Sequence, residues 1–479
     1  MLVVLTLAAC TPAPSPPAPP IPARGAPGRS APAPKPQVCR NGSPAPATAG
    51  TFDSTDSLRP DASSTNIPRI GNGALSPDEA YTRAMEAARD SHAEQLASGA
   101  NRPAPVAVTS IDPAGRPQIR QLSGADLFET AETAVDTVEA SLNSGESVLA
   151  VEIDRMASAD GEAIVDDEAM REALASEAPA STPTLPLPNV VVGATGTGSD
   201  PGRIGQWALD QFPFEDAAMA VSGEENVLIS IVDTGIRLNH PDLAGAVMTS
   251  RNFTDEPLGC TGNHGTHVAG IIAARPGNRI GVVGAAPRVR LLNAKVLDSK
   301  GIGYMSDVAL AITWSVDSGA QVVNLSLSGE EENSSVSAAL TYAEAKGVVV
   351  VAAAGNEGLK GSPFAWPAAD DRTLAVAALT EEGNIAAFST KAPYVDLAAP
   401  GQLIQSTSAD PEYMYMNGTS MATPFVSALV ALTIAAGPKS TPAQIRARLT
   451  SEAIDIAEAG RDDSSGWGMI NLNSLLPPI

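Results

Sequence analysis

The sequence predicts a three-layer α/β fold around a central parallel sheet, preceded by a small α+β segment and a disordered Pro-rich stalk. Three observations lead there. Beyond about Val190, short apolar, β-rich runs alternate with helical patterns: 227–231, 289–296, 322–327, 348–354, 374–378 and 395–397. Continuous apolar strands separated by helices imply a parallel sheet covered on both faces. Upstream, two helical patterns frame short apolar strands, and before them lies a stretch too rich in Pro and Ala to bury a core.

Taken in order, residues 1–10 form a short apolar run ending in Leu7-Ala8-Ala9-Cys10. That tetrapeptide resembles the lipobox of bacterial lipoproteins, which implies lipidation of Cys10 and attachment to a membrane through it. The run is short and no Lys or Arg precedes it, so an ordinary signal segment is the alternative. Residues 11–75 read as a stalk, Pro/Ala-rich to about Ala49 and then rich in Ser, Thr, Asp and Gly. A folded segment follows over 76–154. Ser76 caps a helix that runs to about Ser98, with Pro77 at its first position and Glu79 completing a capping box. Val106-Ala107-Val108 is strand-like, a second helix spans 124–142, and Val148–Ile153 is a strand. Residues 155–195 are acidic and then Ser/Thr/Pro-rich, a linker, and 196–479 form the α/β unit. Right-handed crossovers place the loops after its strands on one sheet edge, where such folds carry their chemistry.

Bulk composition narrows the function. The chain has 479 residues, 54 acidic against 30 basic, and a net charge of −24. Such a chain repels phosphates rather than neutralising them, so nucleic acid is excluded as a partner. Three cysteines, Cys10, Cys39 and Cys260, make no disulfide framework. Free thiols are the default, and a Cys39–Cys260 pair formed after export is the alternative. No stretch reaches the 18 or so consecutive apolar residues of a membrane span; 348–354 and 428–436 read as buried core.

Three segments carry chemistry. Ile229-Ser230-Ile231-Val232-Asp233-Thr234-Gly235 is a buried strand ending in an acid. Asn263-His264-Gly265-Thr266-His267 opens a helix, and Asn417-Gly418-Thr419-Ser420-Met421-Ala422-Thr423-Pro424 delivers a serine through a turn to an apolar helix. A serine hydroxyl is a poor nucleophile at neutral pH. It needs an imidazole to take its proton and a carboxylate to hold that imidazole in one tautomer. With only four histidines in the chain, the choice of base is narrow.

These segments resemble the catalytic blocks of the subtilisin-like serine proteases, the subtilases (peptidase S8), in the order Asp, His, Ser. The resemblance implies a secreted serine endopeptidase acting on peptide or protein substrates. In it Asp233 orients, His264 is base and then acid, Ser420 attacks, and His267 is structural. A fourth block, Ala353-Ala354-Gly355-Asn356, carries over Asn356 as an oxyanion donor beside the Ser420 N–H. Gly301, Gly303, Ser326, Leu327 and Ser328 resemble the two segments that clamp a peptide as an added strand. Ser328 stands where glycine is usual and narrows the cleft. Ala353, Ala354, Gly355 and Ala365 would line the first specificity pocket, with a preference for apolar side chains. Phe425 stands where the family usually has histidine, with no loss of chemistry.

The helix–strand pattern of 76–154 resembles the inhibitor-like pro-segment of the family, which implies a zymogen whose own pro-segment occupies the cleft until cut within 154–200. Asp200, Asp242 and Asn278 fall where relatives bind calcium, a structural ion not required for the chemistry; ordinary turn residues are the alternative. The competing reading is a catalytically silent, surface-anchored peptide-binding protein on the same fold. Either way the protein is exported, to the cell envelope or beyond.

Overall fold

The computed structural model describes residues 74–98, 105–122, 127–159, 162–164, 200–410, 412–437 and 440–476. All of the expected stalk but Ala74 and Leu75, with Cys10, Cys39 and most of the expected linker, lies outside them.

Seven parallel strands make the central sheet, in the order Leu397–Pro400, Thr373–Leu379, Val349–Ala353, Val322–Leu325, Leu228–Asp233, Arg290–Lys295 and Val247–Asn252. The interior strands are buried along their length, which is why they read as unbroken apolar runs. Val247–Asn252 is an edge strand, mostly exposed on both faces. Its polar sequence gave no apolar signal, and it was not expected.

Helices Asn263–Ala273 and Thr419–Ala436 cover one face of the sheet, and Met305–Asp317 and Ser334–Ala345 the other. Each face has its own apolar core, the first around Ile229, Ile272, Val376 and Leu429, the second around Val232, Ile312, Val323 and Val350. The fold is therefore three-layered, as expected. Thr419–Ala436 is long and apolar enough to cross a membrane but is 83% buried inside the protein. It is the central core helix.

Residues 77–153 form a separate small unit. Strands Pro117–Leu122, Val106–Ile111 and Ser147–Ile153 make an antiparallel sheet in that order, packed on helices Pro77–Ser98 and Leu127–Asn143. The capping box at Ser76 forms: the Ser76 N–H donates to Glu79 Oε2 at 2.9 Å and the Glu79 N–H to Ser76 Oγ at 3.3 Å.

This unit docks on the two helices of the second face. Asp154 accepts from the Ser306 N–H (3.0 Å) and Oγ (2.6 Å), and Glu152 accepts from the Ser334 N–H (2.9 Å). Each carboxylate thus satisfies an orphan amide at a helix start.

The chain then enters the cleft. Met156–Ala159 inserts antiparallel between Ile302–Tyr304 and Leu327–Ser328, and Glu162–Ile164 pairs with Tyr413–Asn417. Both segments were expected within a linker. Met156-Ala157-Ser158-Ala159 lacks an apolar run because its order comes from main-chain pairing on both sides rather than from side-chain burial.

Candidate active site

Leu228–Asp233 is the interior strand where the chain's direction of travel across the sheet reverses, and Asp233 ends it. Crevices at such carboxyl ends are where open α/β sheets place their sites. Asp233 is wholly buried, and both its oxygens lie 2.9 Å from His264 Nδ1. A carboxylate only accepts, so Nδ1 carries the proton and Nε2 the lone pair.

The turn after Asp233 fixes this pair. The Thr234 N–H donates to Asp233 Oδ1 (2.6 Å), and Thr234 Oγ1 accepts from the Gly265 N–H (3.0 Å), an orphan amide in the helix's first turn. Gly265 follows His264 because a Cβ there would stand 2.6 Å from Gly235 O and 3.0 Å from Asp233 Oδ1. Lys295, wholly buried in the next strand, donates to Thr234 O at 3.1 Å and Leu297 O at 2.7 Å and clamps the same turn.

Ser420 sits in the first turn of Thr419–Ala436, after Gly418 at φ 152°. Pro424 lies four residues on and has no N–H, so the Ser420 carbonyl lacks its helical donor. Ser326 supplies one: its Oγ donates to Ser420 O at 2.8 Å, while Ser420 Oγ donates to Ser326 O at 3.2 Å. Asn324 Nδ2 holds Ser326 Oγ at 2.9 Å, and Ser427 Oγ donates to Asn324 Oδ1 at 2.9 Å. The two helices that carry His264 and Ser420 in their first turns pack against each other.

Asn356 follows strand Val349–Ala353. Its Oδ1 accepts from the Thr419 N–H (2.9 Å) and Thr419 Oγ1 (3.1 Å). With the carbonyl oxygen held by the residue before Ser420, the amide NH₂ is left as a donor. Together with main-chain amides of the helix start, it can meet negative charge developing beside Ser420.

His267 is fully buried and its ring donates from Nε2 to Ile404 O at 2.9 Å. Burial, reinforced by His264, pushes it down to about 3, so it stays neutral. It is structural.

The cleft residues come together. Gly301 O accepts from the Ala159 N–H at 2.8 Å, Gly303 pairs with Ala157, Leu327 with Ala159, and Ser328 with Ser158. Ser328 does not close the cleft, since a strand fits beside it. A side chain at Gly303 would strike Val296 O at 2.1 Å.

Ala353, Ala354, Gly355 and Ala365 are also neighbours. A Cβ on Gly355 (φ 101°) would lie 3.0 Å from Ala365 Cβ. Tyr394 ties this pocket: its hydroxyl donates to Ala354 O (2.9 Å) and accepts from the Ala365 N–H (3.1 Å). Neither Thr234, Thr419, Lys295 nor Tyr394 was singled out from the sequence, though Thr234 and Thr419 lie inside the blocks that were.

Asp200, Asp242 and Asn278 also converge. Asp242 is wholly buried and accepts from Asn278 Nδ2 (2.6 Å) and the Val282 N–H (2.9 Å); Asp200 accepts from the Gly277 and Arg279 amides (2.5 and 2.8 Å). Burial raises the Asp242 carboxyl above its ordinary range, and the Asp200 charge adds to this. A hard cation would relieve the like charges of this pair, yet each of the four carboxylate oxygens already accepts an N–H, which a cation would have to displace. Asn278, however, presents its NH₂ to Asp242 and spends Oδ1 on the Ile280 N–H (2.9 Å), so it is no ligand in this arrangement. Among the described residues no group of three His, Cys, Asp or Glu side chains can hold a metal. Cys260 is buried and disulfide-bonded, which corrects the free-thiol expectation for it.

The subtilase family matches residues 224–468, just over half the chain and every element described above around Asp233, His264, Asn356 and Ser420. The chain belongs to that family. It is a subtilisin-like, serine-type endopeptidase, and peptides or proteins are its substrates. It is 40% identical to a thermophilic serine proteinase of Bacillus sp. (strain AK1) over 277 residues, 57% of this chain and 68% of that protein. It is 43% identical to thermitase of Thermoactinomyces vulgaris over 234 residues, 48% of this chain and 82% of thermitase. The solved structure of sphericase is 34% identical over 52% of this chain and 91% of its own, with a TM-score of 0.48.

Proposed function

We propose that this subtilase is an exported zymogen whose peptidase chemistry runs on Asp233, His264, Ser420 and Asn356. The observation that carries the reading is the joint anchoring of the site. His264 Nδ1 is fixed on Asp233 at 2.9 Å, and Asn356 Oδ1 is fixed on Thr419, the residue before Ser420. In the forward step, His264 Nε2 takes the Ser420 proton as Oγ attacks the scissile carbonyl. The tetrahedral oxyanion is met by Asn356 Nδ2 and the Ser420 N–H. His264, now charged against Asp233, returns the proton to the leaving amine. Water then repeats the cycle in reverse and frees Ser420. An apolar side chain at the cleaved position would enter the pocket closed by Ala354, Ala365 and Tyr394.

The pro-segment reading is supported by the strands in the cleft. Met156–Ala159 pairs on one side of the site, and Glu162–Ile164 pairs with the strand running into Ser420 on the other. The maturation cut therefore falls between Ala159 and Glu162, inside the window expected from the sequence. Until then the enzyme is held by its own chain. The name of the minor extracellular protease Epr of Bacillus subtilis (strain 168), 35% identical over 55% of this chain, supports export here; a lipid on Cys10 would hold the N-terminal piece at the envelope, and the cut severs the catalytic unit from that anchor unless the two pieces stay associated. Asp200 and Asp242 would hold a structural calcium, remote from the chemistry.

N-terminal sequencing of the purified active species, beside the Ser420→Ala chain, tests this reading. A new terminus between residues 160 and 162 is expected in the first and none in the second. Processing of the Ser420→Ala chain at that place in pure solution would refute self-cleavage by Ser420. A silent peptide-binding scaffold would cut nothing in either form.

A further inference from the structure

We propose that Lys295 is a positioning residue for the Asp233–His264 pair: its buried ammonium fixes the turn that binds both and, balanced by Glu256, biases the imidazole toward its neutral, proton-accepting form. The inference rests on the peptidase reading of the site and adds to it a charge that the triad chemistry does not itself require.

Lys295 ends strand Arg290–Lys295 and stands in register with Asp233 on the neighbouring strand. It is 0% exposed, one of the largest side chains that the fold buries completely. A lysine is almost never buried this way unless it is paired, and its partners here are all oxygens. Nζ donates to Leu297 O at 2.7 Å, Thr234 O at 3.1 Å and Glu256 Oε2 at 3.4 Å. An ammonium has three donors and no acceptor, so these three oxygens satisfy it, and a neutral amine would leave one of them unmatched. Burial lowers the group from its ordinary value, opposed by the charges of Glu256, Asp298 and Asp233.

Two of the three bonds reach the catalytic machinery. Thr234 donates its N–H to Asp233 Oδ1 (2.6 Å) and receives the Gly265 N–H on Oγ1 (3.0 Å), so it links the acid to the helix bearing the imidazole. Holding Thr234 O holds that link. A Cβ on Gly235 (φ 93°) would lie 3.3 Å from Lys295 Cδ, so the lysine stem runs along the turn. Leu297, the second acceptor, donates its own N–H to Asp233 O (3.2 Å) and bridges to Gly303 of the substrate clamp. Glu256, the third, also accepts from the Ser299 N–H (2.7 Å) and Oγ (2.9 Å), two residues before Gly301.

The charges around the pair have distinct signs and places. Asp233 faces His264 directly, and His267 on the same helix is neutral. Arg237, further along the loop after Asp233, is spent on Glu412 (3.5 Å). Lys295, Glu256 and Asp298 stand together behind the turn. The ammonium repels the proton that would make imidazolium, and Glu256 attracts it. Removing either charge therefore moves the acid limb of the rate profile, in opposite directions. A unit charge about 10 Å away moves a titration by about 0.3 pH unit at a dielectric of about 80 and by about 1.2 at about 20. The shifts should fall in that range.

The test is the pH dependence of kcat/KM on a peptide substrate, which reports the free enzyme's base, for the processed parent, Lys295→Met and Glu256→Gln. Lys295→Met keeps the stem and removes the charge, and its acid limb should move to higher pH. Glu256→Gln keeps an acceptor for Ser299 and removes the opposite charge, and its limb should move to lower pH. A merely structural role lowers activity at every pH alike and moves neither limb. Limbs that coincide with the parent's, or that move the same way in both variants, overturn the proposal and leave the peptidase reading intact. A parent that hydrolyses nothing overturns that reading, and this one with it. Should Lys295→Met fold poorly, Glu256→Gln decides alone, since its side chain is 23% exposed and tolerates the change: a limb moved to lower pH supports the charge, and an unmoved or raised one refutes it.

Discussion

Replacing Thr419 with Val tests how the oxyanion donor is aimed. Thr419 Oγ1 donates to Asn356 Oδ1 at 3.1 Å and accepts from the Gly355 N–H at 3.1 Å. Valine keeps the shape and removes both bonds, leaving the Thr419 N–H, 2.9 Å from Asn356 Oδ1, as the amide's remaining anchor. One hydrogen bond of this kind is worth about 0.5–1.5 kcal/mol net. If that much orientation is lost where the oxyanion forms, kcat should fall about 2- to 10-fold, at roughly 1.4 kcal/mol per tenfold. KM should barely move, because the clamp strands are untouched. The stranded Gly355 N–H costs a further ~1–3 kcal/mol of stability. Steady-state kinetics on a peptide substrate, with a thermal melt of the same sample, reads both effects. A melt that drops while kcat stays within experimental error would refute the claim that Thr419 orients Asn356.

Three further outcomes follow from the same geometry. Asn356→Leu removes the donor itself, and kcat should fall about 10²–10³-fold, the range measured on subtilisin itself, with little change in KM; a loss under tenfold contradicts the role. His267 is buried neutral, with its folded value pushed down to about 3 by burial against about 6.5 in an unfolded chain. The unfolded state therefore binds the extra proton below about pH 6.5, and stability is full above that pH and lost as pH falls toward 3, by up to about 1.4 kcal/mol per pH unit. Melting temperatures from pH 7 to pH 4 should fall more steeply in the native chain than in His267→Gln, and parallel curves would count against this. Chelation of calcium should lower the melting temperature and leave the kcat of the folded enzyme unchanged. At a free ion level 100 times Kd the loss is about 2.7 kcal/mol; Asp242→Asn should abolish the response, and a chelator-insensitive melt argues for a calcium-free clasp.

Much of the fold was legible because burial on both faces writes itself into sequence. Val349–Ala353 and Thr373–Leu379 are buried at every position, and both appear as apolar runs. Val247–Asn252 was invisible because an edge strand needs no such run. Met156–Ala159 was invisible because main-chain pairing, which carries no side-chain signature, orders it. At the site, the acid, imidazole and alcohol stood out as blocks. The groups that aim them did not. The bond from Ser326 Oγ to Ser420 O is foreshadowed only by Pro424, whose missing N–H leaves that carbonyl open. Lys295 reads as a strand residue, and only coordinates show its ammonium on Thr234 O. Asn278 lies beside Asp242, and the direction of its amide is a matter of local hydrogen bonding that the sequence does not show.

A fluorophosphonate probe reports most directly on whether Ser420 is a nucleophile driven by His264 and Asp233. On the processed chain, with its pro-segment removed, labelling should map to the peptide bearing Ser420, slow as falling pH protonates the imidazole that must act as base, and vanish in Ser420→Ala and His264→Ala. A label found on another residue, or equal labelling of the His264→Ala chain, would contradict it.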